Sequence, residues 1–401
     1  MKRTVLSLEQ ALTLPYATQR FAQLGWRVIR IEPPPDKETG RGGDPNRYIG
    51  EDTGVDDLHA YYIAPNIGKE AITLNLKAKE GQALLGKLVE KLPADVFLCN
   101  TLPKRYKQLG IDYESLKLAN PNLIWCGISA LGPDYPDAAG YDPALQAMMG
   151  YMYLTGEPDR DPMLCGLPVI DLKVGDEAFS QVLLAMLEQA SGDRTTGKEI
   201  HISMAQCAAS WLITALPQLQ FVTDDSKLFG RSGNEHRSFI PCNCYPTKDG
   251  YVYLAIGNDL QWAKLTQIKG FEHIDKPDRK TNRGRHADKD NIYADIRKGL
   301  QNYTTDDFLR ICTDLNLAAA PVHSILEVAQ LDFVKKYMLG TQIPSGRQVS
   351  LFPASVPTEF LSKNEYSMKL APRLGEHNGL IYREIGLTDQ EIQKLRDDGI
   401  I

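Results

Sequence analysis

Apolar and polar positions change period repeatedly along the first 130 residues. Residues 26–31 (WRVIRI) alternate and stop at Pro33-Pro34-Pro35, which predicts a strand. Residues 71–76 and 95–98 read as further short strands, and 123–128 as a buried one. Between them, residues 18–25 and 113–119 read as helical. The stretch 80–91 sets Ala83, Leu84 and Leu88, with Leu92 just beyond, at helical spacing. Strands alternating with helices build a parallel, helix-covered sheet, whose ligands bind beyond the carboxyl ends of the strands.

Further on, residues 144–149 read as a short helix behind the turn Ala139-Gly140-Tyr141-Asp142-Pro143. Residues 167–170 form an apolar run ending like a strand, and 176–190 a long helix stopped by Ser191-Gly192. Residues 199–203 read as a strand and 204–216 as an apolar helix. The polar, Gly-containing stretch 221–237 reads as a linker. Residues 241–256 resemble a hairpin around Lys248-Asp249-Gly250. Helical patterns follow at 259–268, 292–302 and 305–315, with 275–289 read as a solvated loop. Residues 335–372 carry scattered Pro and Gly and read as a second extended connection. Thr388 and Glu391 make a capping box for a C-terminal helix.

Composition narrows the class. The 401 residues allow two or three domains, and 43% hydrophobic with 24% charged residues supports packed cores. The net charge of −6 lacks the basic surplus of a nucleic-acid protein, so an anionic ligand has to be met by local cations. No apolar stretch approaches the roughly 18 residues of a membrane span, and no signal-peptide core is present. The expectation is a cytoplasmic protein with no nucleic-acid or membrane partner. Of the seven cysteines, Cys99, Cys126, Cys165, Cys207 and Cys312 sit singly in apolar surroundings and fit reduced, buried thiols. Cys242 and Cys244 form a weak metal pattern, and the histidines lack paired spacing, so no metal site is expected.

The chain contains no G-x-G-x-x-G, Walker loop, H-E-x-x-H or G-x-S-x-G. Carboxylates and cations remain as candidates. Asp171, between an apolar run and a helix, reads locally as a helix cap, and Asp142 reads likewise as the cap of the 144–149 helix. Lys69, Lys77, Lys104, Arg105 and Lys107 crowd into 40 residues and read locally as solvated faces.

A longer pattern changes these readings. Leu14-Pro15-Tyr16-Ala17-Thr18-Gln19, the stretch 25–33, and Asn66 to Leu76 followed by Gly81 resemble the opening of the family III CoA-transferases, the formyl-CoA and carnitine CoA-transferase group. Asn120-Pro121-Asn122, Gly140-Tyr141-Asp142, Pro168-Val169-Ile170-Asp171 with Gly175, and Pro372-Arg373-Leu374-Gly375-Glu376-His377 continue it in order over nearly the full length. The resemblance implies an α/β fold. A Rossmann-like large domain with a parallel sheet joins a smaller α/β domain through long linkers, in an interlocked-ring dimer or a heteromer with a related subunit. It places the large domain at 1–220 with the nucleophile, linkers at 221–237 and 335–372, the small domain at 238–334, and a return to the large domain at 373–401.

The resemblance also implies the chemistry. Asp171 falls at the family's nucleophilic Asp, with Tyr141 and Asp142 beside it. The carboxylate attacks a thioester and forms an acyl-aspartyl anhydride; thiolate returns to give an aspartyl-CoA thioester, from which CoA passes to an acceptor acid. No permanent cofactor is implied, and the coenzyme A thioester is a substrate. Leu74, Lys77, Asn100 and Thr101 stand at CoA-contact positions, with Lys104, Arg105 and Lys107 as phosphate cations. Leu12 and Thr13 stand at the substrate loop, and Gly257-Asn258 where the family has a mobile loop.

Departures from the family pattern touch the acyl pocket and phosphate contacts: Cys99-Asn100-Thr101 for its Glu-Asn-Phe, Leu12 for a Gln, Pro33 and Gln108 for arginines, Ala130-Leu131-Gly132 for its Gly-Phe-Gly. They imply an acceptor other than oxalate. The stretches 11–33 and 233–241 look like one subunit of the succinyl-CoA:benzylsuccinate CoA-transferases of anaerobic toluene metabolism, implying a succinyl-CoA donor and an aromatic dicarboxylate acceptor. Two other readings compete. An α-methylacyl-CoA racemase would pair a His with the Asp 30 residues later, but Tyr141 occupies that place, and an unperturbed tyrosine is a poor base near pH 7. A non-catalytic subunit would have no need of Asp171.

Overall fold

The computed structural model describes residues 3–193, 195–224 and 230–401. They form two compact units: Met1–Met149, Cys165–Phe221 and Phe333–Ile401 make the first, Gly150–Leu164 and Val222–Asp332 the second. Residues 225–229 of the expected 221–237 linker lie outside the described residues.

The first unit is built on six parallel strands: β1 (Thr4–Leu8), β2 (Arg27–Glu32), β3 (Glu70–Thr73), β4 (Val96–Cys99), β5 (Ile124–Ser129) and β6 (Lys198–Ser203), in the order β3-β2-β1-β4-β5-β6. The order reverses direction between β1 and β4, and ligands bind at such a switch point. β1 escapes the sequence pattern because five residues behind a basic start show too little period. It is nonetheless central, with Val5 and Leu6 fully buried.

Helix α1 (Thr13–Gln23) follows β1 and begins five residues before the helix expected from periodicity. Nine of its eleven residues are buried, and a helix covered nearly all round shows no polar stripe to mark its start. Helix α2 (Lys79–Lys91) packs Leu84 and Leu88 into the core, with Leu92 just beyond it, as the spacing predicts; Leu85 and Val89 join them, whereas Ala83 is exposed. Two further helices, α3 (Asp142–Met148) and α4 (Val169–Ser191), bring the acidic candidates together. The run 167–170 is not a strand: Val169 and Ile170 are already the first turn of α4, with Pro168 at its N-cap. Gly192 in a left-handed conformation ends the helix. β6 leads into α5 (Met204–Ser210), shorter than the 204–216 helix expected because the chain then turns into 3₁₀ geometry.

The second unit has an antiparallel sheet of β7 (Cys242–Pro246), β8 (Tyr251–Ala255) and β9 (Ala318–Pro321). Helices α6 (Asp259–Leu265), α7 (Asn282–Ala287), α8 (Lys289–Leu300) and α9 (Thr305–Asp314) cover a core that includes Trp262, Phe271, Ile296 and Phe308. The charged run 275–289 is not a solvated loop. Arg279 and Arg285 are fully buried, Arg279 against Asp288 and Asp295, and Arg285 donates to the Ile240 carbonyl at 2.6 Å.

The chain then rejoins the first unit. Residues 335–372 carry the hairpin β10 (Met338–Gln342) and β11 (Gln348–Pro353) and the short α10 (Glu359–Lys363), rather than extended connection alone. The Thr358 hydroxyl donates to the Gln23 carbonyl at 2.5 Å and pins α10 to the end of α1. Helices α11 (Asn378–Glu384) and α12 (Asp389–Asp397) add Ile381, Tyr382, Ile392 and Leu395 to the core around β2 and β3. The Thr388–Glu391 capping box is present. No helix among the described residues is long and apolar enough to cross a membrane.

Candidate active site

A cavity of about 380 Å³ opens at the carboxyl ends of the parallel strands. Residues following β1 (Glu9, Ala11, Thr13), β3 (Leu74, Lys77), β4 (Asn100, Thr101) and β5 (Ala130), together with Arg105, Gly140, Tyr141 and Asp171, line it. This is where the strand order reverses, so the fold itself gathers loops from distant parts of the chain.

Asp171 lies in the first turn of α4. Pro168, the N-cap, has no side chain to offer the free N–H groups. Asp142 supplies what is missing from another helix. Its carboxylate accepts from the N–H of Ile170 at 2.8 Å and of Asp171 at 3.1 Å, while Gln146 Nε2 donates to its other oxygen at 2.6 Å. Asp142 does not line the cavity and is 4% exposed. The sequence reading of Asp142 as the cap of its own helix is corrected: Tyr141 is the N-cap of α3, Asp142 is its first residue, and its carboxylate caps α4 instead.

The Thr13 hydroxyl, at the start of α1, donates to Asp171 Oδ1. Among the described residues no hydrogen bond falls on Oδ2. Burial raises the Asp171 pKa to about 6; the Thr13 hydrogen bond pulls against this, and the negative charge of Asp142 adds to it. The carboxylate is therefore poorly solvated, yet ionised in most molecules at neutral pH.

The β1–α1 turn that presents Thr13 is held on several sides. Asn100 accepts from the Gln10 N–H at 3.2 Å and donates to its carbonyl at 2.8 Å. Ala11 has φ +62°, a left-handed conformation that a residue with a Cβ adopts at a cost of about 1 kcal/mol. Its N–H is anchored on Asp44 Oδ1 at 3.2 Å. Glu9 accepts from Lys69 at 2.7 Å and from the hydroxyls of Ser7 and Thr18. Under the turn, Arg30 reaches Glu32 at 3.1 Å and Asp44 at 3.2 Å, and Arg47 pairs with Glu32, all of them buried. Glu9 and Asp44 were not singled out from the sequence. Arg30 and Glu32 sit on the polar side of an alternating strand, which locally signals solvent rather than a buried network.

The remaining candidates divide. Leu74, Lys77, Thr101, Arg105 and Tyr141 line the cavity; Lys77 and Arg105 are its cations among the described residues. Asn100 lines it too, but its amide is engaged with Gln10. Tyr141 is 73% exposed. Lys104 lies outside the lining and pairs with Asp137 at 2.9 Å, and the exposed Lys107 also lies outside it. Leu12 is the N-cap of α1 and accepts from the Tyr16 N–H through its carbonyl. Gly257 and Asn258 belong to the second unit, where the Asn258 side chain caps α6 by accepting from Gln261 N–H at 2.9 Å.

Comparison with known proteins places the geometry in context. A model of the CoA-transferase family III matches residues 2–378. The chain is 32% identical over 392 residues to the succinate–glutarate CoA-transferase of Agrobacterium fabrum, covering 95% of this chain and 94% of that one. It is 28% identical to the succinyl-CoA:glutarate CoA-transferase of Mus musculus over 99% of this chain and 89% of that one. The crystal structure of a CAIB/BAIF family protein from Brucella suis superposes with a TM-score of 0.80 at 29% identity, covering 96% and 98% of the two chains.

Proposed function

The chain belongs to CoA-transferase family III, and from that premise we propose that it moves coenzyme A from succinyl-CoA to a second dicarboxylic acid through covalent intermediates on Asp171. The observation that carries the reading is the placement of Asp171: a half-buried carboxylate in the cavity wall, with one oxygen held by Thr13 and the other without a hydrogen bond among the described residues. A desolvated carboxylate with a free oxygen is suited to attack a thioester carbonyl. The leaving thiolate then attacks the anhydride at Asp171 Cγ and releases succinate, leaving an aspartyl-CoA thioester. The acceptor carboxylate reverses the sequence. The anhydrides are hydrolytically labile, so the site has to exclude water while they exist. Lys77 and Arg105 are suited to pair with the phosphates of coenzyme A.

The named substrates of the similar transferases favour an aliphatic acceptor of glutarate size. The likeness of stretches 11–33 and 233–241 to benzylsuccinate transferases keeps that aromatic diacid in the same panel. Large apolar side chains stand exposed at Leu187, Ile213 and Phe221 of the first unit, and such surface supports assembly with a second chain.

The test is incubation with succinyl-CoA and a panel of acids including glutarate and benzylsuccinate, with mass spectrometry of the Asp171 peptide after quenching. The expected result is a CoA adduct on Asp171 that glutarate discharges, and loss of both adduct and transfer in Asp171→Ala. Full transfer by Asp171→Ala, or exchange of an α-proton in deuterated water without CoA transfer, overturns the reading.

A further inference from the structure

Two of the four chemical events in such a transfer take place on the enzyme rather than on the substrates. Thiolate attack on the first anhydride and acceptor attack on the thioester both convert the trigonal Asp171 Cγ to a tetrahedral centre. In each, the electron pair of the Cγ–Oδ1 double bond moves onto Oδ1, so that oxygen becomes an oxyanion. It is the oxygen that already accepts the Thr13 hydroxyl.

We propose that Thr13 is a catalytic residue whose hydroxyl serves as the oxyanion donor to Asp171 Oδ1 when Cγ is attacked. The inference rests on the reading of Asp171 as nucleophile and assigns the fate of each of its oxygens. Oδ2, which carries no hydrogen bond among the described residues, forms the bond to the succinyl carbon. When the thiolate attacks Cγ, the Cγ–S bond forms, the oxyanion on Oδ1 collapses, and the Cγ–Oδ2 bond breaks. Succinate leaves with that oxygen. The acceptor carboxylate then attacks Cγ, thiolate departs, and Oδ1 is again the transient oxyanion. No proton has to be transferred; Thr13 keeps its own throughout.

The hydroxyl is built for that place. Thr13 is 5% exposed and stands at the first position of α1, so its neighbours fix its side chain. Its carbonyl lies against Gly175, one turn after Asp171, where a Cβ would come within 2.9 Å of it. Helix α1 and helix α4 therefore meet at a glycine, and the contact sets the hydroxyl on the carboxylate. A donor already in position costs no reorganisation when charge appears. In the resting enzyme the same hydrogen bond lowers the nucleophilicity of Asp171 slightly, so its benefit lies in the steps at Cγ.

The experiment compares Thr13→Val, which keeps the shape and removes the donor, with Thr13→Ser, which keeps the donor. Single-turnover quench with succinyl-CoA measures thioester formation on Asp171, and a chase with glutarate measures its discharge. Removing one oxyanion donor from an enzyme costs on the order of 10²–10³-fold. Thr13→Val is expected to show that loss in thioester formation and discharge, with hydroxylamine-trappable anhydride accumulating instead; Thr13→Ser is expected to restore most of the rate. The acid limb of activity is expected to move to higher pH in Thr13→Val, because a hydrogen bond that favours ionised Asp171 is gone. Near-normal discharge in Thr13→Val, or equal failure of both variants, overturns the role of the hydroxyl. If the parent enzyme itself forms no adduct at Asp171, the nucleophile reading fails first and this inference falls with it.

Discussion

At the scale of single residues, the site turns on two carboxylates with different tasks. Asp171 faces the cavity and Asp142 is turned away from it, onto the N–H groups that begin the helix of Asp171. If Asp171 is the nucleophile proposed above, only its ionised form attacks, and kcat/KM is expected to fall about tenfold per pH unit below an inflection near 6. Asp142→Asn removes a charge that opposes ionisation, so the inflection should move to lower pH; a pH–rate profile of both proteins checks the sign. Stability should show the mirror image. A carboxyl whose folded pKa is raised stabilises the protein below its unfolded pKa of about 4, and that contribution is lost as pH rises through 6. Asp171→Asn should therefore gain on the parent by on the order of 2 kcal/mol between these limits, read from urea midpoints.

At the scale of elements, the decisive contact is between α1 and α4. Gly175 permits it: a Cβ there would stand 2.6 Å from Tyr16 Cδ1 and 2.9 Å from the Thr13 carbonyl oxygen. Gly175→Ala has to push the two helices apart. Overpacking costs about 1–3 kcal/mol, against roughly 1 kcal/mol regained from helix propensity. The loss of activity should exceed what the small loss of stability explains, because Thr13 moves off Asp171. Measuring kcat beside the thermal midpoint separates the two. Equal, small changes in both would mean that the helix spacing does not control the site.

At the scale of the whole molecule, the floor of the cavity is an ion network inside the first unit. Burial alone would raise the pKa of Glu9 and Glu32. Lys69 and Arg30 outweigh it for Glu9, and Arg30 and Arg47 for Glu32, so both lie below the usual carboxylate range. Arg30→Met strands Glu9, Glu32 and Asp44 without their shared cation, and breaking a buried pair in this way costs about 3–5 kcal/mol. The deficit should be full at neutral pH and shrink as Glu9 and Glu32, whose ordinary range is about pH 4, protonate below it. Denaturant unfolding at pH 7 and pH 3.5 tests it. A deficit independent of pH would assign the loss to packing instead.

The sequence by itself determined the alternation of strands and helices, the family, and the identity of Asp171, Thr13, Lys77 and Arg105 as site candidates. Periodicity is a local property, and ordered short motifs survive in one dimension. Tertiary structure decided what each group does. Asp142 caps a helix 27 residues away, Asn100 closes the Gln10 backbone, and Arg30 and Glu32 of the alternating strand β2 face a buried network. Residues 335–372 lack a strong period because their strands pair with each other, and 275–289 looks solvated although two of its arginines are buried. In each case the partner lies far along the chain, and hydrogen-bond direction and burial exist only once the chain has folded.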